Sequence, residues 1–576
     1  MDYKKNYENW LSSEYVDEAT KKELREIKDE KEIEDRFYRD LEFGTGGLRG
    51  VMAAGSNRMN IYTIGKATQG LADYINKNYT DEKAVSIAYD SRNMSIEFAN
   101  RVAGVLCANG IVVNLFESLR PTPMLSFAVK YLHCKAGIVV TASHNPKQYN
   151  GYKVYNEDAG QVTDKAAKDI LTCINSLQGF NDVKLMDLEA AKKAKLLNII
   201  GEEIDKIYVE KVKGLTVRED LVKKNAKDLK IIYTPIHGSG NIPVRRVLSE
   251  LGYENVNVVK EQEKPDGNFP TASYPNPEQP SVFKLALELA KSVQPDVIFG
   301  TDPDCDRIGV VVKDSEGEYR VLTGNQTGVL LTHYILSSLK ELNKLPENGA
   351  IIKTIVTSEM AKKVADNYKI ETIDVLTGFK YIGEKIKEFE STGANTYLFG
   401  FEESYGCLAG TFVRDKDAVI GAMLVCEMVL YYKNKGLSLF DALTDLYNEY
   451  GFYKETLASL ELKGKEGQEK IQKALEYLRN SMKDQVGGVK IVKTFDYKLS
   501  LEKNILEGTS AKIKLPESNV LKFILEDGSW FVVRPSGTEP KMKVYMSVIG
   551  STEADADKKS ETFNKYVMEI INGACK

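Results

Sequence analysis

At 576 residues the chain is too long for a single hydrophobic core, and domains of roughly 150 residues put about four into it. Hydrophobic residues at 43% beside 28% charged, with only 16 prolines, exclude disordered and fibrous classes, and a net charge of -5 leaves no basic footprint for nucleic acid. The seven cysteines (Cys107, Cys134, Cys173, Cys305, Cys407, Cys426, Cys575) are scattered and lack a C-x-x-C pair, which points to a reducing, cytoplasmic setting; the charged N-terminus and the absence of any run of about 18 apolar residues argue against export and membrane insertion.

In chain order, a charged helical segment leads to the glycine-rich GTGGLRG (residues 44–50). It follows no strand and lacks the third glycine of a dinucleotide fingerprint, so it reads as a phosphate-facing loop carrying Arg49. From Ala84 a short apolar run (AVSIAYDSRN), a helix-spaced segment (IEFANRVAGVLCANG) and a second apolar run (IVVNLFE) form a βαβ pattern. The pattern returns from Leu229 (LKIIYTPIHGSG, IPVRRVLSELG, NVNVVKE) and from Gly349 (GAIIKTIVTS, EMAKKVADNY, IETIDVL). Starts somewhat over a hundred residues apart match domain size, not a solenoid period, and predict three similar α/β domains in series. The remainder, with TLASLEL, a charged helical stretch from Gly467 to Met482, and KFILEDGSWFVV carrying an Asp527-Gly528 hairpin turn, reads as α+β. The expected domains are 1–200, 201–322, 323–450 and 451–576; GVVVKDSEGEYRVL, a hairpin near the second boundary, fits on either side of it.

Four segments are denser in polar residues and glycine than a core strand requires, and each follows or interrupts an apolar run, at strand ends where α/β proteins keep their sites. In TASHNP (141–146) Ser143 stands at a strand mouth beside His144, with Lys153 ten residues on. A serine hydroxyl needs such a base, or a metal, to act as a nucleophile, although a plain Ser/Asn loop has the same composition. In GTDPDCDR (300–307) Asp302, Asp304 and Asp306 alternate, and Pro303 excludes a helix. Alternate side chains of an extended backbone share a side, so three carboxylates converge and demand a cation; oxygen ligands select a hard one, Mg2+ in a phosphate enzyme. An EF-hand is excluded because its sixth and twelfth positions are Arg307 and Lys313, whereas a solvated acidic turn remains the alternative. GFEESYG (400–406) offers Glu402, Glu403 and Ser404 to sugar hydroxyls or to a helix start. RPSGTEP (534–540) offers Arg534, Ser536, Gly537 and Thr538 as a phosphate cradle. No G-x-S-x-G elbow and no P-loop occurs, and His133 and His333 read as structural.

Taken together, TASHNPKQYNGYKVY, GTDPDCDRIG, GFEESYG and RPSGTEPKMKVY in this order resemble the α-D-phosphohexomutase superfamily over essentially the whole chain. The resemblance implies four domains around a central cleft, three of similar α/β topology and a smaller C-terminal α+β domain. It implies that Ser143 is a phosphoserine and that Asp302, Asp304 and Asp306, with the phosphate on Ser143, hold Mg2+. Arg49, His144, Lys153 and Arg307 would surround the transferred phosphoryl, with Lys153 as general acid or base. Glu402 and Ser404 would bind the sugar, Arg534, Ser536, Gly537 and Thr538 the other phosphate, and Thr377, Gly378, Lys380 (in LTGFKYIG) and Lys416 (in RDKDAV) would be further substrate contacts. The implied reaction interconverts a sugar 1-phosphate and 6-phosphate through a 1,6-bisphosphate that is also the activator. GFEESYG with TGFK is closer to glucose-type members than to the mannose-type loop GEMSGH, so glucose 1-phosphate is the expected substrate; mannose and pentose phosphates stay open. A metal-dependent phosphatase with an aspartate nucleophile is the reading from another class, and it would not need Ser143.

Overall fold

The computed structural model describes residues 2–44, 46–462, 464–536 and 541–575. Three short helices open the chain (Tyr3–Ser12, Glu18–Glu26, Glu30–Phe37), each started by an aspartate side chain accepting backbone N–H groups (Asp2, Asp17, Asp29). They bury Trp10, Leu24 and Phe37 against Tyr62 of the helix Ile61–Asn78.

Three sheets follow, and they share one topology. In the second, the strands lie in the order Val256–Val258, Ile231–Thr234, Val297–Thr301, Ile308–Lys313, the first three parallel and the fourth antiparallel. The third sheet repeats this with Glu371–Val375, Gly349–Thr354, Thr396–Phe401 and Cys407–Leu408. The first does so with Val112–Phe116, Ala84–Tyr89, Ala136–Val140 and Tyr149–Asn156, flanked by Leu197–Ile200 and Gly47–Val51. The parallel strands Ala136–Val140 and Val297–Thr301 are buried at every position, as expected where helices cover both faces. In each sheet the turn from the third strand to the antiparallel fourth contains a non-glycine residue with left-handed backbone: Ser143 (φ 51°), Cys305 (φ 52°) and Tyr405 (φ 67°). Such residues persist only where their surroundings fix them.

The C-terminal sheet is wholly antiparallel, in the order Phe452–Glu461, Lys541–Gly550, Trp530–Pro535, Leu521–Leu525, Val489–Asp496, Leu501–Asn504, Thr509–Lys512. The helices Gly464–Asn480 and Glu553–Ala574 contribute to its core. The Asp527-Gly528 turn is there, with Gly528 at φ 84°. A continuous apolar core runs from the helix Thr122–Tyr131 through the second and third sheets to Tyr453, so the α/β units are packed together and not merely tethered.

Two expectations change. The part of GTGGLRG that carries Arg49 is not a loop: Gly47–Val51 is an edge strand antiparallel to Tyr149–Asn156. The glycines disguise it, yet Gly47 (φ 143°) is there because a Cβ would lie 1.8 Å from the Tyr152 carbonyl oxygen. His133 is not in apolar surroundings but exposed just past a helix end, at φ 52°, whereas His333 is structural, its Nδ1 2.7 Å from the Tyr432 hydroxyl. GVVVKDSEGEYRVL forms a hairpin, Ile308–Lys313 with Tyr319–Val321, at the edge of the second sheet. Among the described residues no helix is long and apolar enough to cross a membrane.

Candidate active site

The turn after Ala136–Val140 carries Ser143, which is 3% exposed. Its Oγ donates to Asp302 Oδ2 at 2.7 Å and lies 3.1 Å from His144 Nδ1. Burial, with the positive charges of Arg307 and Arg49 close by, pushes the His144 pKa well below the usual histidine value, so its ring is neutral.

Asp302, Asp304 and Asp306 are all buried, and one oxygen of each falls within 4.8 Å of the others. Asp302 Oδ1 accepts the backbone N–H groups of Asp306 (3.1 Å) and Arg307 (3.0 Å). Asp304 Oδ2 accepts from Thr122 Oγ1 at 2.8 Å and Lys153 Nζ at 2.7 Å. Asp306 Oδ2 faces Lys153 Nζ at 3.3 Å and Lys416 Nζ at 3.2 Å. Burial and then the neighbouring carboxylates drive the Asp302 pKa well up, while Lys153 keeps Asp304 ionised against the same burial. Asp302 therefore retains a proton unless a cation displaces it. The buried oxygens Asp304 Oδ1 and Asp306 Oδ1 have no hydrogen-bond partner. Buried hard oxygens without a hydrogen bond, beside Ser143, are the donor set a divalent cation requires, so the residues fit one. Cys305 turns away into the apolar core.

Lys416, expected among the substrate contacts, belongs to this cluster: besides Asp306 it meets Asp415 Oδ1 at 3.0 Å, and Asp415 Oδ2 accepts from Tyr155 Oη at 2.6 Å. Its stem passes over Gly406, where a Cβ would meet Lys416 Cδ at 2.1 Å. Arg307 donates to Glu278 Oε1 at 3.0 Å; burial opposes its charge, but Asp306, Glu278 and Glu402 outweigh that and raise its pKa. Arg49 stands on its edge strand opposite Gly151, open to solvent and close to the charges of Asp304 and Arg307.

The turn after Thr396–Phe401 brings in Glu402, buried, and Ser404, half-buried. Glu403 between them accepts from Thr354 Oγ1 (3.1 Å) and Thr357 Oγ1 (3.3 Å), and burial followed by the Glu402 charge pushes its pKa up to about 7. Arg534, on the strand Trp530–Pro535 opposite Lys543, is close enough to act on Glu403 and Tyr545. Ser536 donates its N–H to the Lys541 carbonyl at 2.7 Å; Gly537 and Thr538 lie outside the described residues. Thr377 Oγ1 is buried without a hydrogen-bond partner, and Gly378 (φ 121°) starts the helix Phe379–Thr392 with open space on its Cβ side. Lys380 reaches across to the first sheet's domain and pairs with Asp164 at 2.8 Å. A separate cavity of about 760 Å³, lined by Trp10, Tyr62 and Phe180 among others, includes no residue of these four turns.

Sequence reasoning missed Asp90 and Arg92, in the YDSRN that ends the strand Ala84–Tyr89. Arg92 is fully buried; it donates to the carbonyls of Ser143 (2.6 Å), Pro146 (2.9 Å), Tyr149 (3.0 Å) and Asn145. Asp90 accepts from Thr141 Oγ1 at 2.6 Å, which in turn accepts the Ser143 N–H at 2.8 Å. The pair thus grips the strained Ser143 from both sides of its peptide units. The only signal was two opposite charges just past a strand end.

Residues 40–179, 206–317, 323–450 and 469–564 match, in order, the alpha/beta/alpha domains I, II and III and the C-terminal domain of the phosphoglucomutase/phosphomannomutase family. The chain is 36% identical over 539 residues to a phosphoglucomutase of Staphylococcus saprophyticus, covering 94% of this chain and 96% of the relative. It is also 36% identical over 543 residues to one of Staphylococcus haemolyticus, with the same coverage. Among solved structures it resembles the phosphoglucomutase parafusin of Paramecium (TM-score 0.68, 18% identity, 93% of this chain and 95% of that one). It also resembles a phosphoglucomutase/phosphomannomutase family protein of Burkholderia thailandensis (TM-score 0.64, 19% identity, 92% and 97%). At these identities the two structures speak for the fold alone.

If Arg92 positions the nucleophile, Arg92→Lys, which keeps the charge but loses the planar fork, should lower kcat for sugar phosphate isomerisation on the order of 10²-fold while KM moves by less than about threefold. Steady-state kinetics checks this; a change confined to KM, or an unchanged kcat, would remove the pair from that role.

Proposed function

The chain belongs to the phosphoglucomutase/phosphomannomutase family and is a phosphohexomutase, an isomerase; from that premise we propose that it interconverts α-D-glucose 1-phosphate and glucose 6-phosphate through a phosphorylated Ser143. The observation that carries this is the contact of Ser143 Oγ with Asp302 at 2.7 Å, which joins a nucleophile to a cation site. A phosphatase built on the aspartates would have no use for that serine, and Asp304 and Asp306 are already engaged by Lys153.

In the forward step a sugar hydroxyl oxygen attacks the phosphorus of phosphoserine, the bond from phosphorus to Ser143 Oγ breaks, and Oγ keeps the electron pair. Lys153 gives its proton to Oγ and takes the one the hydroxyl loses. Asp302, Asp304 and Asp306 would hold Mg2+, which when bound supplies positive charge to the transferred phosphoryl. Arg49, Arg307 and His144 line the same position; the transfer is chiefly a matter of positioning and charge neutralisation. The glucose 1,6-bisphosphate formed turns over in the cleft and returns its other phosphoryl to Ser143, so the same molecule serves as activator of unphosphorylated enzyme. Arg534 and Ser536, with Gly537 and Thr538, grip whichever phosphate is distal, and Thr377, Gly378 and Lys380 contact the substrate beside them. Glu402 and Ser404 hold sugar hydroxyls. All seven cysteines are unpaired, in keeping with a cytoplasmic enzyme.

Intact-mass measurement should find one labile phosphoryl on part of the purified protein, and Ser143→Ala should lose both the adduct and the isomerase activity. Near-normal turnover by that variant would sink the phosphoserine mechanism. For the metal, enzyme stripped with a chelator should be inactive and regain activity with Mg2+, and Asp304→Asn should slow phosphoryl transfer far more than it weakens sugar phosphate binding. Full activity after chelation would show that no cation is needed.

Specificity follows from Glu402. A buried carboxylate accepting from two adjacent equatorial hydroxyls suits O3 and O4 of glucose; mannose differs only at O2, and a pentose lacks the ring span. The expected order in kcat/KM is glucose, mannose, ribose 1-phosphate, with Glu402→Gln losing about 2 to 4 kcal/mol of transition-state stabilisation. A preference for ribose, or an unaltered Glu402→Gln enzyme, would overturn the glucose assignment and leave the mutase reading standing.

A further inference from the structure

Lys380 is a cation in an enclosed place. Its side chain is 9% exposed, its Nζ lies 4.9 Å from the centre of the Tyr381 ring, and its one ion pair among the described residues is with Asp164 Oδ1 at 2.8 Å. Asp164 comes from a different domain, as the first residue of the helix Asp164–Ser176, and is 50% exposed. The two partners therefore stand differently toward water. A nearly enclosed ammonium needs a counter-charge, whereas a half-exposed carboxylate is rehydrated at little cost when its partner leaves. Around Lys380 there is unused hydrogen-bonding capacity: the buried Thr377 hydroxyl without a partner, and the start of the helix Phe379–Thr392 at Gly378, where no side chain caps the first N–H groups. The charge of Arg534 reaches the neighbouring Tyr381. An anion entering here would find donors waiting and one cation already taken.

We propose that Asp164 is the resting counter-ion of Lys380 and that substrate binding exchanges it for a phosphate of the sugar, so that Asp164 sets affinity and rejects sugars without a phosphate. The inference rests on the reading of Lys380 as a substrate contact. A phosphate dianion outcompetes a carboxylate for the ammonium, but a sugar hydroxyl does not. Asp164 is not what keeps the two domains together at this face: Lys387 pairs with Asp158 at 2.6 Å and Lys130 with Glu390 at 3.0 Å alongside it.

The test is a double-mutant cycle on the full-length enzyme. Asp164→Asn should lower KM for glucose 1-phosphate about three- to tenfold with kcat within about twofold, and should tighten competitive inhibition by inorganic phosphate, which has the charge without the sugar, by a similar factor. Lys380→Met should raise KM, and in the Lys380→Met background Asp164→Asn should have no further effect. An unchanged or higher KM in Asp164→Asn overturns the proposal, as does a gain that survives in the double variant. A Lys380→Met enzyme with ordinary KM also overturns it by removing Lys380 from the substrate, while the mutase reading, which stands on phosphorylation of Ser143, is untouched by any of these results.

Discussion

Three carboxylates held within 4.8 Å of one another in the protein interior repel, and the arrangement of the other domains answers that repulsion. At 4 Å and an effective dielectric near 20, each pair of like charges costs about 4 kcal/mol, a large fraction of the stability of a typical domain. Most of the counter-charges come from outside the domain that carries the aspartates. Lys153 and Thr122 come from the first α/β unit and Lys416 from the third, while the Arg307 guanidinium, its Nε 3.7 Å from Asp306 Oδ1, and the backbone N–H groups of Asp306 and Arg307 are local. Neutralising Asp302, Asp304 and Asp306 thus requires three domains in contact, and the apolar core that runs through them supplies the stability that this contact alone could not.

The same requirement explains why one topology can be used three times. Each α/β unit ends its third strand and reverses into an antiparallel fourth, and each carries candidate site residues in that reversal: Ser143 in the first, the aspartates in the second, Glu402 and Ser404 in the third. The reversal is tight enough to force a left-handed residue at Ser143, Cys305 and Tyr405. Strain of this kind costs of order 1 to 3 kcal/mol per residue and survives only under restraint. At Ser143 the restraint is Arg92 and Asp90, and at Cys305 it includes a side chain buried in the core.

Much of this was legible because it rests on patterns local in sequence. The apolar run, helix and apolar run recur from Ala84, Leu229 and Gly349, and the polar turns stand out against strands buried on both faces. Asp302, Asp304 and Asp306 converge as expected, but through a turn with Cys305 at φ 52° and not through the extended backbone that their alternation suggested. What escaped depends on partners distant in sequence. The strand Gly47–Val51 looks like a loop until Tyr149–Asn156 is laid beside it. Arg92 acts on backbone carbonyls, which leave no residue-type signature. Lys416 was grouped with the sugar contacts because nothing near it in sequence hints at Asp306.

A chain with a net charge of -5 is an unpromising receptor for a phosphorylated sugar, yet the contradiction is only apparent. Arg49, Lys153, Arg307 and Lys416 gather around the aspartates and Ser143, while Arg534 and Lys543 stand side by side on adjacent strands near Glu403. Each cluster is balanced by carboxylates on the same scale, so neither projects a strong field beyond the cleft. Screening over about 8 Å at physiological ionic strength confines the effect of each cluster to its surroundings. A phosphate group is thus met by charge concentrated locally and not by the sign of the whole chain.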